Sequence, residues 1–434
     1  MSVPGRTIGM QAAPRSGNLR GGNHVDETDL VLVRRAFKFR AYPTRSQQGR
    51  AVRLLADHCD LYNAALMERR EAWRMLRISI SYGTQSGQLK EIRQADPYGQ
   101  GRHSFTAQQQ TLRRLDGVFT AFFDRARTAE RAGQGKKPGY PRFKSYQRFD
   151  QVLFVAGDGS KWQPSGSGRW AYARFQAIGA VKVSQHRPVR GTVKALQLRR
   201  EHRRWYVIVI AEAEPVPLPS AGGEIGVDVG VARFLTTSDG QIVTNPRFLA
   251  ASAQVITELE RRKSRAQPGS GNRKRLKRAL AREWRKVRNC RRDFHHKTAR
   301  MLVMKCDVIA LEDLNIAGMI RRPAPRPDPG TLGAFLPNQA RAKAGLNKSI
   351  LDAGWAQFIS ILTGKAAEAG RQVMLVNPAG TSINCHRCGR RCVRPRQEIV
   401  VCPDHGDIDA DLNAAINIAS RAGLGSGQAP ATAA

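Results

Sequence analysis

The stretch IGVDVGV at 225–231 sets a carboxylate among residues whose shared tendency is to pack away from water. Asp228 is one of three such acids. Glu312 closes the apolar run DVIALE, and Asp411 opens DLNAAINIAS, whose remainder is largely Leu, Ala and Ile. A buried carboxylate is costly unless it is paired or metal-bound, so a fold that accepts all three must gather them around positive charge. Hard oxygen ligands arriving from separate elements suit Mg²⁺, or Mn²⁺ in its place, and such ions keep waters that a substrate phosphate can replace. Two of them about 3.5–4 Å apart stabilise both the attacking and the leaving oxygen of a phosphodiester. Asp307, Asp313, Asp407 and Asp409 are nearby acids that solvated loops would explain, and Asp409 is the strongest rival to Asp411.

A second constraint is Cys385-x2-Cys388-x13-Cys402-x2-His405, four ligands in two knuckles at zinc spacing. Gly389 supplies the tight turn that a knuckle needs. Cys392 is an alternative fourth ligand, and the symmetry of the two knuckles favours His405. Four protein ligands leave no open position, so a Zn²⁺ held here is structural. Seven cysteines, four of them between 385 and 402, suit a metal site in a reducing compartment better than a disulfide framework.

The charge narrows the partners. The 434 residues carry 72 Lys and Arg against 35 Asp and Glu, a net +37, and Arg supplies 55 of the 72. Such a field selects a polyanion over a small neutral substrate, and guanidinium favours bidentate phosphate contacts and stacking. Residues 261–300 hold 17 Lys or Arg against only Glu283 and Asp293, an excess that points to counterion release on a phosphate backbone. Trp284, Phe294, His295 and His296 lie among these charges, equally suited to stacking and to packing. No stretch approaches the roughly 18–20 apolar residues of a membrane span, so a soluble protein without a membrane partner is expected.

Along the chain, 31–41 alternates Phe37 and Phe39 with Lys38 and Arg40, the signature of a half-buried strand. Thr44 and Gln47 form a capping-box pattern. It opens a helix whose inward face is Val52, Leu55, Cys59, Tyr62 and Leu66, and helix dominates as far as about residue 130. A Gly, Pro and Lys-rich loop at 133–145 leads to short strands at 181–183, 192–198 and 205–213, which with 31–41 are expected to close a small β-barrel. A proline-rich linker precedes the strand with Asp228. Basic helices at 253–303, broken at 267–269, lead to the strand that ends at Glu312. Helix at 346–369, a strand at 372–376 and a last helix at 411–420 follow. One acid on the first strand, one on a later strand and one on a late helix is the layout of RNase H-like nucleases.

The strings FKFRAYPT, GKKPGYPRFKS, GVDVG, ALEDLNIAGM, KSILDAGWAQF, VNPAGTSINCHRCG and DADLNAAINI, in this order, resemble the transposon-encoded TnpB (OrfB) proteins, relatives of compact type V CRISPR effector nucleases. The resemblance spans about 31–420. It implies a multi-domain α+β and α/β chain: a small β-barrel (wedge) with an inserted helical recognition domain, then an RNase H-like RuvC domain with an inserted zinc-ribbon-like module. The expected boundaries are a disordered extension at 1–30, the wedge at 31–43 and 146–214, the recognition domain at 44–145 and a linker at 215–223. The RuvC-like domain is expected at 224–384 and 406–420, the zinc insertion at 385–405 and a disordered tail at 421–434. By the resemblance Asp228, Glu312 and Asp411 are the first, second and third catalytic acids. The function implied is RNA-guided cleavage of double-stranded target DNA beside a short motif, with a structured guide RNA from the transposon end, in the prokaryotic cytoplasm and on the nucleoid when bound to DNA. A non-cleaving guided DNA-binding regulator and a compact CRISPR effector are the alternatives, and the presence of all three acids argues against the first. The family usually ends its second knuckle in Cys, where this chain has His405.

Overall fold

A computed structural model describes residues 6–7, 32–131, 138–166, 168–331 and 333–425. Of the extension expected at 1–30, only Arg6 and Thr7 fall among them. The tail from 426 on and loop residues 133–137 lie outside. Contacts divide the chain into two compact units, one within Thr28–Glu214 and one that runs on from Pro215.

The first unit is built on seven antiparallel strands. From edge to edge these are Gln151–Val155, Thr192–Glu201, Arg204–Ala213, Val33–Tyr42, Gly179–Ser184, Trp170–Phe175 and Ser160–Pro164. The sheet is curled. Alternation works as expected in Val33–Tyr42, where Phe37 and Phe39 are buried while Lys38 and Arg40 keep solvent contact. Between this strand and the next sits the helical block, led by Arg45–Leu76 and closed by Phe105–Arg131. Thr44 caps the first helix through a capping box, its Oγ1 accepting from Gln47 N at 3.3 Å while Gln47 Oε1 accepts from Thr44 N at 3.0 Å. Leu55, Cys59, Tyr62 and Leu66 turn inward, but Val52 is 45% exposed and Ala51 and Leu54 take the inward place. A 3.6-residue period drifts around the helix, so a stripe begun one position off ends on the right face.

The second unit centres on a six-stranded mixed sheet in the order Arg6–Thr7, Gln372–Val376, Val308–Glu312, Glu224–Val229, Arg233–Thr237 and Ile242–Thr244. Its three middle strands, 372–376, 308–312 and 224–229, run parallel. Side chains alternate across a strand, and the two faces have different owners. Ile225, Val227, Val229, Ile309 and Leu311 join a core with Leu302 of helix Gly271–Lys305 and Phe358 and Leu362 of helix Trp355–Glu368. Ala310 and Val376 meet Ile418 and Ala419 of the last helix, Ala410–Arg421, on the opposite face. The helix expected at 346–369 is two, Ala340–Ala353 and Trp355–Glu368, separated by Gly354 at φ +69. Phe294 and His295 pack inward, Phe294 against Phe234 at 4.8 Å and His295 Nε2 against Ala353 O at 2.9 Å, whereas Trp284 is 41% exposed.

One glycine fixes how the last helix lies. A Cβ on Gly226 would sit 2.1 Å from Ala415 O and 2.6 Å from Ala419 N. The helix backbone therefore rests directly on the strand, a distance that only glycine permits. Gly226→Ala is expected to push the helix off the sheet at a cost of about 3 kcal/mol, the upper end for overpacking. A denaturant titration reads it, and wild-type stability in the variant would show that the contact does not hold the helix.

Candidate active site and metal cluster

The seat of the helix on Gly226 determines where the acids meet. Asp228 is two residues on from Gly226 and shares its face of the sheet. Asp411 is one helical turn before Ala415, on the side of the helix that meets Gly226. Two strand residues and one helical turn each advance about 6 Å, so Asp411 is carried over Asp228. Leu311 pairs with Val227 across the parallel ladder, and the same offset sets Glu312 beside Asp228. The three acids expected from the sequence thus converge on one face. All three are half-buried, so the cluster is recessed yet open to solvent.

The charges crowd one another. Burial pushes the Asp228 carboxyl up to about 8, and the neighbouring Glu312 and Asp411 add to the effect. Burial likewise raises Glu312, against the pull of the Thr381 hydroxyl and the Arg421 guanidinium, and it raises Asp411 against Arg233. Residues that surround the acids and were not singled out in the sequence hold them in place. The buried Thr381 hydroxyl bonds Glu312 Oε1. Asn417 Nδ2 donates to Thr381 O at 2.8 Å and to Asn384 O at 2.7 Å. Asn413, fully buried, donates to Asn384 O at 2.8 Å and accepts from His386 N at 2.9 Å.

The other acids named from the sequence differ in their partners. Asp409 is the N-cap of the last helix, accepting from Asp411 N and Leu412 N, and its Oδ2 takes Arg233 Nη1 at 2.7 Å. An Asp two residues ahead of an apolar helical run is itself an N-cap signal. Asp307 accepts from Ala221 N and Gly222 N, both at 2.9 Å, from the Ser220 hydroxyl and from Arg371. Led by the bond from Ala221, these contacts hold its carboxyl down at about 2. Asp313 and Asp407 are exposed.

Between the 372–376 strand and the last helix the chain forms a three-stranded antiparallel sheet, Val393–Arg396, Ile399–Cys402 and Gly406–Asp409. The ligand atoms of Cys385, Cys388, Cys402 and His405 all lie within 4.8 Å of one another. His405 Nδ1 is 3.5 Å from Cys402 Sγ and 3.6 Å from Cys385 Sγ, and Cys388 and Cys402 sulfurs are 3.5 Å apart. Zn–S bonds of ~2.3 Å span a tetrahedron whose edges are about 3.8 Å, so three thiols and an imidazole at these separations fit a zinc ion. Each knuckle turns on a left-handed glycine, Gly389 at φ +73 and Gly406 at φ +67. Cys392 lies against Cys385 and Cys402, yet it is outside the mutually close four.

Residues 207–322 match the family model for OrfB of IS605 elements, described as "Probable transposase", and residues 355–418 match one described as "Cas12f1-like, TNB domain". The chain is 30% identical over 389 residues to "Putative RNA-guided DNA endonuclease InsQ" of Escherichia coli K12, covering 88% of this chain and 91% of that protein. It is 27% identical over 396 residues to a "Putative RNA-guided DNA endonuclease" of Streptomyces pristinaespiralis, covering 90% and 89%. In fold it is similar to Cas12f1 in a cryo-EM complex with single-guide RNA and target DNA, with a TM-score of 0.52 at 11% identity over 89% of this chain and 98% of that one. The chain belongs to the TnpB (OrfB) family.

Without metal, the crowded carboxylates have a measurable signature. In the unfolded chain Asp228 ionises near 3.8, whereas in the fold it stays protonated up to about 8. Unfolding therefore releases a proton across that window, and the metal-free fold loses stability as pH rises from about 4 to about 8. Asp228→Asn removes the ionisable group while keeping its shape. In EDTA its melting temperature is expected to exceed wild type at pH 8 by several degrees and to match it at pH 4; equal melting at both would show that the acid is not strained.

Proposed function

We propose that this protein is an RNA-guided DNA endonuclease of an insertion-sequence transposon that cuts double-stranded DNA beside a short motif. The observation that carries the proposal is the convergence of Asp228, Glu312 and Asp411 on one recessed sheet face, within a chain of net charge +37. The family membership and the printed names of its relatives supply the guide and the target class.

In this reading 31–43 with 146–214 is the wedge barrel and 44–145 the recognition domain, while 224–384 with 406–420 is an RNase H-like RuvC domain interrupted by the zinc module at 385–405. Asp228, Glu312 and Asp411 are the catalytic acids and would hold Mg²⁺ or Mn²⁺. Bound there, a pair of such ions would activate the attacking water and stabilise the leaving oxygen. The protein's own part is positional. Thr381 orients Glu312, and the Asp409 cap with its Arg233 partner fixes the helix end that presents Asp411. Guide pairing reads the target, and protein contacts to the motif begin duplex opening.

The decisive experiment loads the purified protein with either of two guide RNAs and offers both targets in one tube. Cut sites are expected to follow the guide, to require the adjacent motif and to disappear in EDTA. Asp228→Ala, Glu312→Ala and Asp411→Ala should each reduce cutting to background while guided binding persists. Cutting that ignores the guide would leave a guide-independent nuclease, and an active Asp411→Ala beside a dead Asp409→Ala would move the third acid.

The module at 385–405 is expected to bind one zinc per chain through Cys385, Cys388, Cys402 and His405. Metal analysis after dialysis should find zinc lost from His405→Ala and kept by Cys392→Ala. The reverse pattern would exchange the fourth ligand.

A further inference from the structure

We infer that the exposed face of Trp284 is the floor of a binding pocket for one unpaired nucleotide of the guide RNA. This rests on the guided reading above and adds a site to it.

Trp284 stands on helix Gly271–Lys305 at the edge of a cavity of about 590 Å³. This is within the range of about 300–1,000 Å³ usual for small-ligand sites. Leu249 and Leu351 are among its other apolar surfaces, Lys348 reaches it from the same helix as Leu351, and Arg322 reaches it from the loop that precedes that helix. Among the described residues neither cation has an acid within ion-pair distance. Asp352, the acid of this neighbourhood, is already spent: its Oδ1 takes Arg291 Nη2 at 2.6 Å, and its Oδ2 takes Leu249 N at 2.9 Å. The remaining charge is positive. Those bonds also tie the start of helix Phe248–Arg265 and helix Ala340–Ala353 to the helix that bears Trp284, and Asn347 Nδ2 holds Ile320 O at 2.8 Å. The walls are fixed without a ligand.

An exposed indole between apolar side chains, with two unpaired cations beside it, matches a nucleobase with its phosphate. The ring stacks on the indole, as bases do on aromatic side chains in single-strand sites, and Arg322 and Lys348 meet the phosphate. The surroundings agree, since positions 277 and 288 on the face of the helix that carries Trp284 are Lys and Arg. RNA is favoured over the DNA strand being cut because of where the pocket lies. Helices Gly271–Lys305 and Ala340–Ala353 pack on the sheet face of Ile225 and Val227, whereas Asp228, Glu312 and Asp411 occupy the opposite face. A strand engaged at the acids is separated from Trp284 by the thickness of the sheet.

The test measures affinity of the full chain for labelled guide RNA over a range of salt. Trp284→Ala should weaken binding about tenfold, with the salt slope unchanged, and Trp284→Phe should restore most of it. Arg322→Ala and Lys348→Ala should each lower the slope by about one. A guide carrying 4-thiouridine at unpaired positions should crosslink to the peptide that contains Trp284. Thermal melts check the fold of each variant, and the two charge variants and the crosslink read the site independently of it. Equal guide affinity in Trp284→Ala and wild type, or a loss confined to single-stranded DNA, overturns the pocket and leaves the guided reading intact. Failure of the wild type to hold any discrete RNA removes the guided reading and the pocket with it.

Discussion

The seat of helix Ala410–Arg421 on Gly226 is a contact between backbones, and the chemistry of the second unit depends on it. Carboxylates do not gather of their own accord, because each raises the cost of ionising the next. Apolar packing that is indifferent to charge brings them together. Ile418 and Ala419 against Ala310 and Val376 hold the helix down, and the parallel register carries Glu312 level with Asp228. The energy that assembles the cluster is thus stored in an apolar core rather than in the carboxylates themselves. The cluster is therefore pre-formed by the fold, and its crowding is the strain that the packing carries.

The Cys and His cluster reaches the same carboxylates by two routes. From its first knuckle, His386 bonds Asn413, and Asn384 is gripped by Asn413 and Asn417, whose reach extends to Thr381 and so to Glu312. From its second knuckle, strand Gly406–Asp409 runs directly into the cap of the helix that presents Asp411. The effect of the cluster on the acids is thus geometric: it ties the segment whose Thr381 bonds Glu312 to the strand that leads into the helix presenting Asp411.

Periodicity and spacing made part of this legible. Acids inside apolar runs stood out, the capping box at Thr44 opened its helix, and the knuckle spacing named four residues that the fold brings within ligand distance. What was not legible depends on long-range contacts. Thr381, Asn417 and Arg233 matter for what they touch from far along the chain, and nothing local marks them. Strands Gln151–Val155, Ser160–Pro164 and Trp170–Phe175 were hidden by the Gly, Ser and charged residues of the turns between them. The break at Gly354 was missed because apolar spacing continues across it, although its positive φ ends one helix there and starts the next.

The distribution of charge gives the chain two different electrostatic settings. A net charge of +37 attracts a nucleic acid from a distance, screened beyond about 8 Å at physiological salt. Beside Asp228, Glu312 and Asp411 the balance differs, because burial keeps Asp228 protonated up to about 8 and Arg233, Arg394 and Arg421 offset part of the acidic charge. Long-range attraction is therefore a property of the whole surface, whereas the acid cluster sets only its own neighbourhood. The sheet keeps these two settings apart, with the arginine-rich helix Gly271–Lys305 on one face and the acids on the other.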